Sequence, residues 1–278
     1  MTGSNIRFIT NNIKEQMYYT NLFRLLFRLD TPDQVMPLWE SVVPNIYSPS
    51  SNIIEDFIEF LSLWNQKEYY VRLWSDLLVM GLLDSRQSNH RLIERYFTLL
   101  TRSDQGELNE NQIQQYTNIA RQMIKRFPLV SQEEEQEAEK KTVNNDEQQQ
   151  DKSSRRQVPV KFQYNGQLLS HLICLLSQGN DLESSFALYD YYVLHRSTMV
   201  NPLSERTLML LLKLAVKEKN IDRSFNVLQT INEHSYDCLG DALDLVNRSI
   251  SLTQKDRQYL RTIQKNATVE SAHQVKLI

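Results

Sequence analysis

Two side chains in this 278-residue sequence have the types and spacing to share a ligand: His171 and Cys174, three positions apart in an apolar run. On a helix that spacing puts an imidazole and a thiol on one face, the start of a zinc site. Two further ligands are missing nearby, so the pair reads as a partly buried structural pair. The other histidines, His90, His195, His234 and His273, show no metal spacing. Cys238, the second cysteine, forms no C-x-x-C pair, which excludes a zinc ribbon or a disulfide framework. The sequence also lacks G-x-x-x-x-G-K-[ST], G-x-G-x-x-G, H-E-x-x-H and G-x-S-x-G. No catalytic residue, cofactor or metal is therefore expected, and the reading is a non-catalytic binding protein. Trp39, Trp64 and Trp74 could stack on bases beside cations.

These residues sit on elements that the apolar pattern outlines. Ile53-Ile54, Phe57-Ile58 and Leu61 recur at three- and four-residue steps, as do Leu73, Leu77-Leu78, Leu92-Ile93, Tyr96 and Leu99-Leu100. Such spacing predicts amphipathic helices. Further along, Leu168-Leu169, Leu172-Ile173 and Leu175-Leu176 outline one helix, and Phe186, Tyr189 and Val193 a second. Leu208, Leu211-Leu212 and Ala215 outline a third, and Val227-Leu228 with Ile231 a fourth, with Asp181 and Asp222 expected as N-caps. Six glycines and seven prolines are few for strand-rich or α/β folds, which need frequent turn punctuation.

Composition breaks at Ser131. From there through Lys152 the chain holds eight acidic residues, three lysines and almost nothing apolar, too little to offset the entropy of ordering. The expected organisation is an N-terminal helical-repeat unit at 1–130, an acidic disordered linker at 131–157 and a C-terminal helical-repeat unit at 158–278. The net charge of −3 gives no global reason to bind nucleic acid, so any basic surface is local. No stretch reaches the ~20 apolar residues of a membrane span, which leaves peripheral association open. Residues 1–29 carry Arg7, Lys14, Arg24 and Arg28 against Glu15, read either as an organelle-targeting signal or as an ordinary first helix with a basic face.

Internal repeats sharpen the fold. Pro37-Leu38-Trp39-Glu40-Ser41-Val42-Val43 recurs 35 residues on as Arg72-Leu73-Trp74-Ser75-Asp76-Leu77-Leu78, which places Trp39 on Trp74. Ser185-Phe186-Ala187-Leu188-Tyr189 recurs 39 residues on as Ser224-Phe225-Asn226-Val227-Leu228. Both periods suit a pair of helices and two turns, a unit that buries its apolar face by stacking on its neighbours. The fold expected is all-α, an α-solenoid of helical hairpins. In that setting Trp39 and Trp74 become packing residues between hairpins.

Over about half its length the chain resembles pentatricopeptide-repeat proteins of mitochondria. The match is best at 168–192 and 208–231, where Leu188-Tyr189 and Val227-Leu228 stand in place of the family's Leu-Phe pair. Leu38-Trp39 and Leu73-Trp74 fill the same slot, with Gly81 at the family's glycine. The resemblance implies first helices that line a surface for single-stranded RNA, with the base-reading position on Glu55, Ser170 and Met209. Only Ser170 suits that task, since a carboxylate repels phosphate and a thioether gives no directional hydrogen bond. It further implies a phosphate-contacting lysine at Lys217, to which Lys213 adds a second ammonium four residues away. The partners implied are mitochondrial RNA and the mitochondrial ribosome or other gene-expression proteins, in the matrix or at the inner membrane. The implied role is binding a transcript to promote its translation, stability or processing, as a yeast-type mRNA-specific translational activator does. The alternatives are a protein-binding, ribosome-associated or assembly scaffold resembling tetratricopeptide-repeat modules, and an RNA-processing subunit that relies on a partner for catalysis.

Overall fold

The computed structural model describes residues 13–83, 90–102, 108–129, 162–249 and 252–263. The acidic linker expected at 131–157 lies outside the described residues, as does the start of the basic N-terminal segment. Every regular element described is an α-helix. The helices are α1 (Ile13–Arg28), α2 (Pro32–Val42), α3 (Ser51–Leu63), α4 (Glu68–Val79), α5 (His90–Thr101), α6 (Glu110–Arg126), α7 (Gly166–Gln178), α8 (Leu182–His195), α9 (Glu205–Lys217), α10 (Ile221–Glu233) and α11 (Leu239–Ser249). A final helical segment covers 254–263. The chain forms two compact units, Met1–Gln163 and Tyr164–Ile278.

The repeat is a hairpin whose first helix carries two adjacent apolar seams. In α3 these are Ile53-Phe57-Phe60 and Ile54-Ile58-Leu61, and in α7 Leu168-Leu172-Leu175 and Leu169-Ile173-Leu176, all twelve buried. A helix that is apolar over so wide an arc must be covered on two sides. In the first unit α3 accordingly packs between α1 and α5, and in the second α9 packs between α7 and α11.

Turn chemistry makes the hairpins tight. Asn65, Gly81, Asn180, Lys219 and Ser235 all adopt positive φ just past a helix. In each case the next amide donates back to the carbonyl of the last turn, as from Gln66 to Leu61, Asp181 to Leu176 and Asn220 to Ala215. This closure satisfies the carbonyls that a helix end leaves open. Asp181 caps α8 by accepting from the Ser184 amide, as its position predicts. The cap of α10 is Asn220 rather than Asp222, which falls in the first helical turn and acts there through the helix dipole.

The second helices of the two units are held by different kinds of contact. In the first, Trp39 lies against Phe57 with ring centroids 3.8 Å apart and against Phe23 at 5.2 Å. Trp39 and Trp74 are 1% and 2% exposed, while Trp64 is 41% exposed. In the second unit the Tyr189 hydroxyl reaches Thr230 Oγ1 at 2.6 Å and donates to the Asn226 carbonyl at 2.8 Å. Arg223 forms a two-pronged ion pair with Asp190.

Candidate functional site

The three residues proposed for RNA contact do not converge. Ser170 is buried on α7, where its hydroxyl accepts from the backbone amide of Ser204, at 2.9 Å. Its carbonyl accepts from Thr207 Oγ1 at 3.2 Å. Ser204 is also the N-cap of α9, accepting from the Thr207 amide. Ser170 thus fixes where α9 begins, with its hydroxyl already engaged. Base reading by Ser170 would require the packing of α7 against α9 that buries it to open.

Lys213 and Lys217 lie exposed on the C-terminal half of α9. Lys217 Nζ donates to Asn180 Oδ1 at 2.7 Å, which ties α9 to the turn at the far end of α7. Eight residues of helix beyond Ser170, ending at Gln178, separate it from that turn, about 12 Å at 1.5 Å per residue. The cationic end and the buried serine are therefore distinct places in the unit, and Met209 lies half-buried on α9 between them.

His171 and Cys174 both respond to burial. The imidazole is pushed down to about 4, so it is neutral at physiological pH. The thiol is pushed up by burial, against a smaller opposing pull from Arg206. A neutral imidazole and a protonated thiol suit packing between helices. Among the described residues no group of three or more His, Cys, Asp or Glu side chains is placed to hold a metal ion.

In the first unit the reader position Glu55 is engaged by arginines that sequence inspection passed over. Its carboxylate accepts from Arg91 at 3.1 Å and Arg95 at 3.3 Å, both on α5. Arg24 and Arg28 line the groove between α1 and α3 together with Asp56, Glu59 and Leu63. Arg95 and Arg102 line the next groove, between α3 and α5. Charge thus alternates from one first helix to the next: basic on α1, acidic on α3, basic on α5. The four-residue spacings Arg24/Arg28 and Arg91/Arg95 were the available signal, because each puts two guanidinium groups on one helical face.

No helix among the described residues is long and apolar enough to cross a membrane. No family model matches the sequence. The chain is 24% identical over 238 residues to the small ribosomal subunit protein mS39 of Drosophila melanogaster, covering 85% of this chain and 32% of that protein. It is 29% identical over 100 residues to mS39 of Danio rerio, 36% of this chain and 14% of that protein. Over 75 residues it is 27% identical to mS39 of Bos taurus, 27% of this chain and 11% of that protein. The chain thus spans about a third of the fly protein it matches, and its similarity is to a protein of the small ribosomal subunit.

Proposed function

We infer that this protein is a non-catalytic helical-repeat component of mitochondrial gene expression that works as a scaffold on the small subunit of the mitochondrial ribosome. The observation that carries this reading is the 238-residue similarity to the fly mS39 protein, long enough to take in residues of both units. It favours the ribosome-associated scaffold over a transcript-specific translational activator. Stacked hairpins suit the role, because they present long faces to protein and RNA with no need for a catalytic pocket.

RNA contact is the second reading, and the placement of Lys213 and Lys217 supports it. Two exposed ammonium groups one helical turn apart match the demands of a phosphodiester backbone. In this reading Ser170 is a positioning residue, holding the start of the helix whose far end carries the lysines.

The test is sedimentation of the tagged chain from lysed mitochondria. The expected result is migration with the small ribosomal subunit at moderate salt, retained after the two subunits are separated by magnesium removal. A chain that stays at the top of the gradient under every condition, or that is absent from mitochondria, overturns the scaffold reading.

A further inference from the structure

Phe162 lies shortly ahead of α7 in sequence, yet its ring is held by the first unit. It stacks on Phe127, the C-cap of α6, with ring centroids 4.3 Å apart and planes at 26°. It also stacks on His90, the first residue of α5, at 4.2 Å and 21°. Two flat stacks this close cannot share one face of a ring, so Phe162 is sandwiched between them. Burial holds the His90 imidazole toward its neutral form, against a smaller pull from Glu94, which suits a stack on an uncharged ring.

Two residues on, Tyr164 is buried in the second unit, its ring 5.9 Å from that of Tyr191. Gln163, between the two anchors, is exposed and is the last residue of the first unit. Phe127 and Phe162 are separated by the 34 residues 128–161, which include the acidic run. Fully extended, such a stretch spans about 110 Å. Here its two flanking residues are in ring contact, and the passage from one unit to the other falls at Gln163.

We propose that Phe162 is a clasp, which fastens the chain between Phe127 and His90 and makes 128–161 an insertion carried by the first unit rather than a spacer between the units. The inference goes beyond the ribosomal reading and does not depend on it. The length of an insertion enters stability through the entropy of holding its ends together, which grows with the logarithm of that length. A spacer holds no ends together and carries no such dependence.

Urea unfolding of the full chain, followed by tryptophan fluorescence, tests this, because all three tryptophans lie in the first unit. In one variant Gly-Ser-Gly replaces 130–159, so that seven residues remain between Phe127 and Phe162 where the chain has 34. The expected result is a shift of about tenfold toward the folded first unit, the three-halves power of the ratio of lengths. That gain is expected to fall below twofold when Phe162→Ala is added. A second readout is the nuclear magnetic resonance signal of the His90 ring protons, assigned with His90→Gln. It is expected to move downfield in Phe162→Ala with the helical circular dichroism unchanged, because the ring stacked on the imidazole is gone. No gain on shortening, or the same gain with and without Phe162, overturns the proposal in favour of a spacer. Loss of folding of the first unit on shortening overturns it too, as does a His90 signal that ignores Phe162→Ala.

Discussion

The indole nitrogen of Trp39 donates to the carboxylate of Asp76 at 3.1 Å, joining α2 to α4 inside the first unit. One repeat on, Trp74 Nε1 donates to Gln122 Oε1 at 2.7 Å and joins α4 to α6. The same residue at the same place in two hairpins thus reaches a polar acceptor on the next second helix. Burial satisfies the apolar ring, and the acceptor satisfies the one polar atom that burial would otherwise strand.

Asp76 is the costly member of this link. Burial raises its pKa above the ordinary carboxylate value, against smaller opposing effects from the Trp39 hydrogen bond and Arg72. A carboxyl whose folded pKa is raised opposes folding as it ionises, so this penalty grows as pH climbs above about 3.8. Asp76→Asn keeps an acceptor for Trp39 and removes the buried charge. Its melting temperature at pH 7 is expected to equal or exceed the wild-type value, with the difference vanishing near pH 3. Trp39→Phe leaves the carboxylate buried with one partner fewer and is expected to cost about 1–3 kcal/mol by urea titration.

His171 sets an acid limit on the second unit. Burial depresses its pKa to about 4, against 6.5 for an unperturbed imidazole. A histidine held neutral contributes stability above 6.5, and that contribution is lost as pH falls from there toward 4, up to about 3 kcal/mol in total. Melting of the second unit is therefore expected to drop between pH 6.5 and 4. His171→Leu should flatten that dependence, which calorimetry across the range will show.

Much of this architecture was legible in the sequence, and the reason is physical. Paired apolar residues at three- and four-residue steps state both the helix and the two faces it must bury, as at Leu168-Leu169 through Leu175-Leu176. The 35-residue return of Trp39 as Trp74 states the repeat. Pairings set by three-dimensional neighbours were not legible. Nothing near Glu55 in the sequence names Arg91 and Arg95 as its partners, and nothing near Ser170 names the Ser204 amide. A position copied from a repeat pattern carries the helix it sits on, but its polar partners depend on the neighbouring hairpin.

Gly166 is fixed by a close approach of the chain. A Cβ at this first residue of α7 would lie 1.7 Å from the Asn201 carbonyl oxygen and 2.7 Å from its carbon. Both atoms belong to backbone, so the whole turn ahead of α9 would have to move. Gly166→Ala is expected to destabilise the second unit by about 1–3 kcal/mol, the usual cost of overpacking. Gly240, where an added Cβ meets nothing within 4 Å, is the control and should tolerate alanine. Paired thermal melts read both.

Lys213→Glu with Lys217→Glu separates an RNA role from a structural one. Both side chains are exposed, and Lys217 makes one hydrogen bond to Asn180, so the double substitution should lower stability by no more than about 1 kcal/mol. If these lysines meet phosphate, reversing two charges weakens binding of a single-stranded RNA oligonucleotide at least tenfold at 100 mM salt. It also flattens the salt dependence, because fewer counterions are released. Ser170→Ala gives the opposite pattern under the positioning role. It leaves the Ser204 amide without its acceptor, costs about 1–3 kcal/mol of stability and leaves the salt slope unchanged. Equal affinity and equal salt slope in wild type and the lysine double variant would remove these residues from any nucleic-acid interface and leave the first-helix face of the second unit to protein.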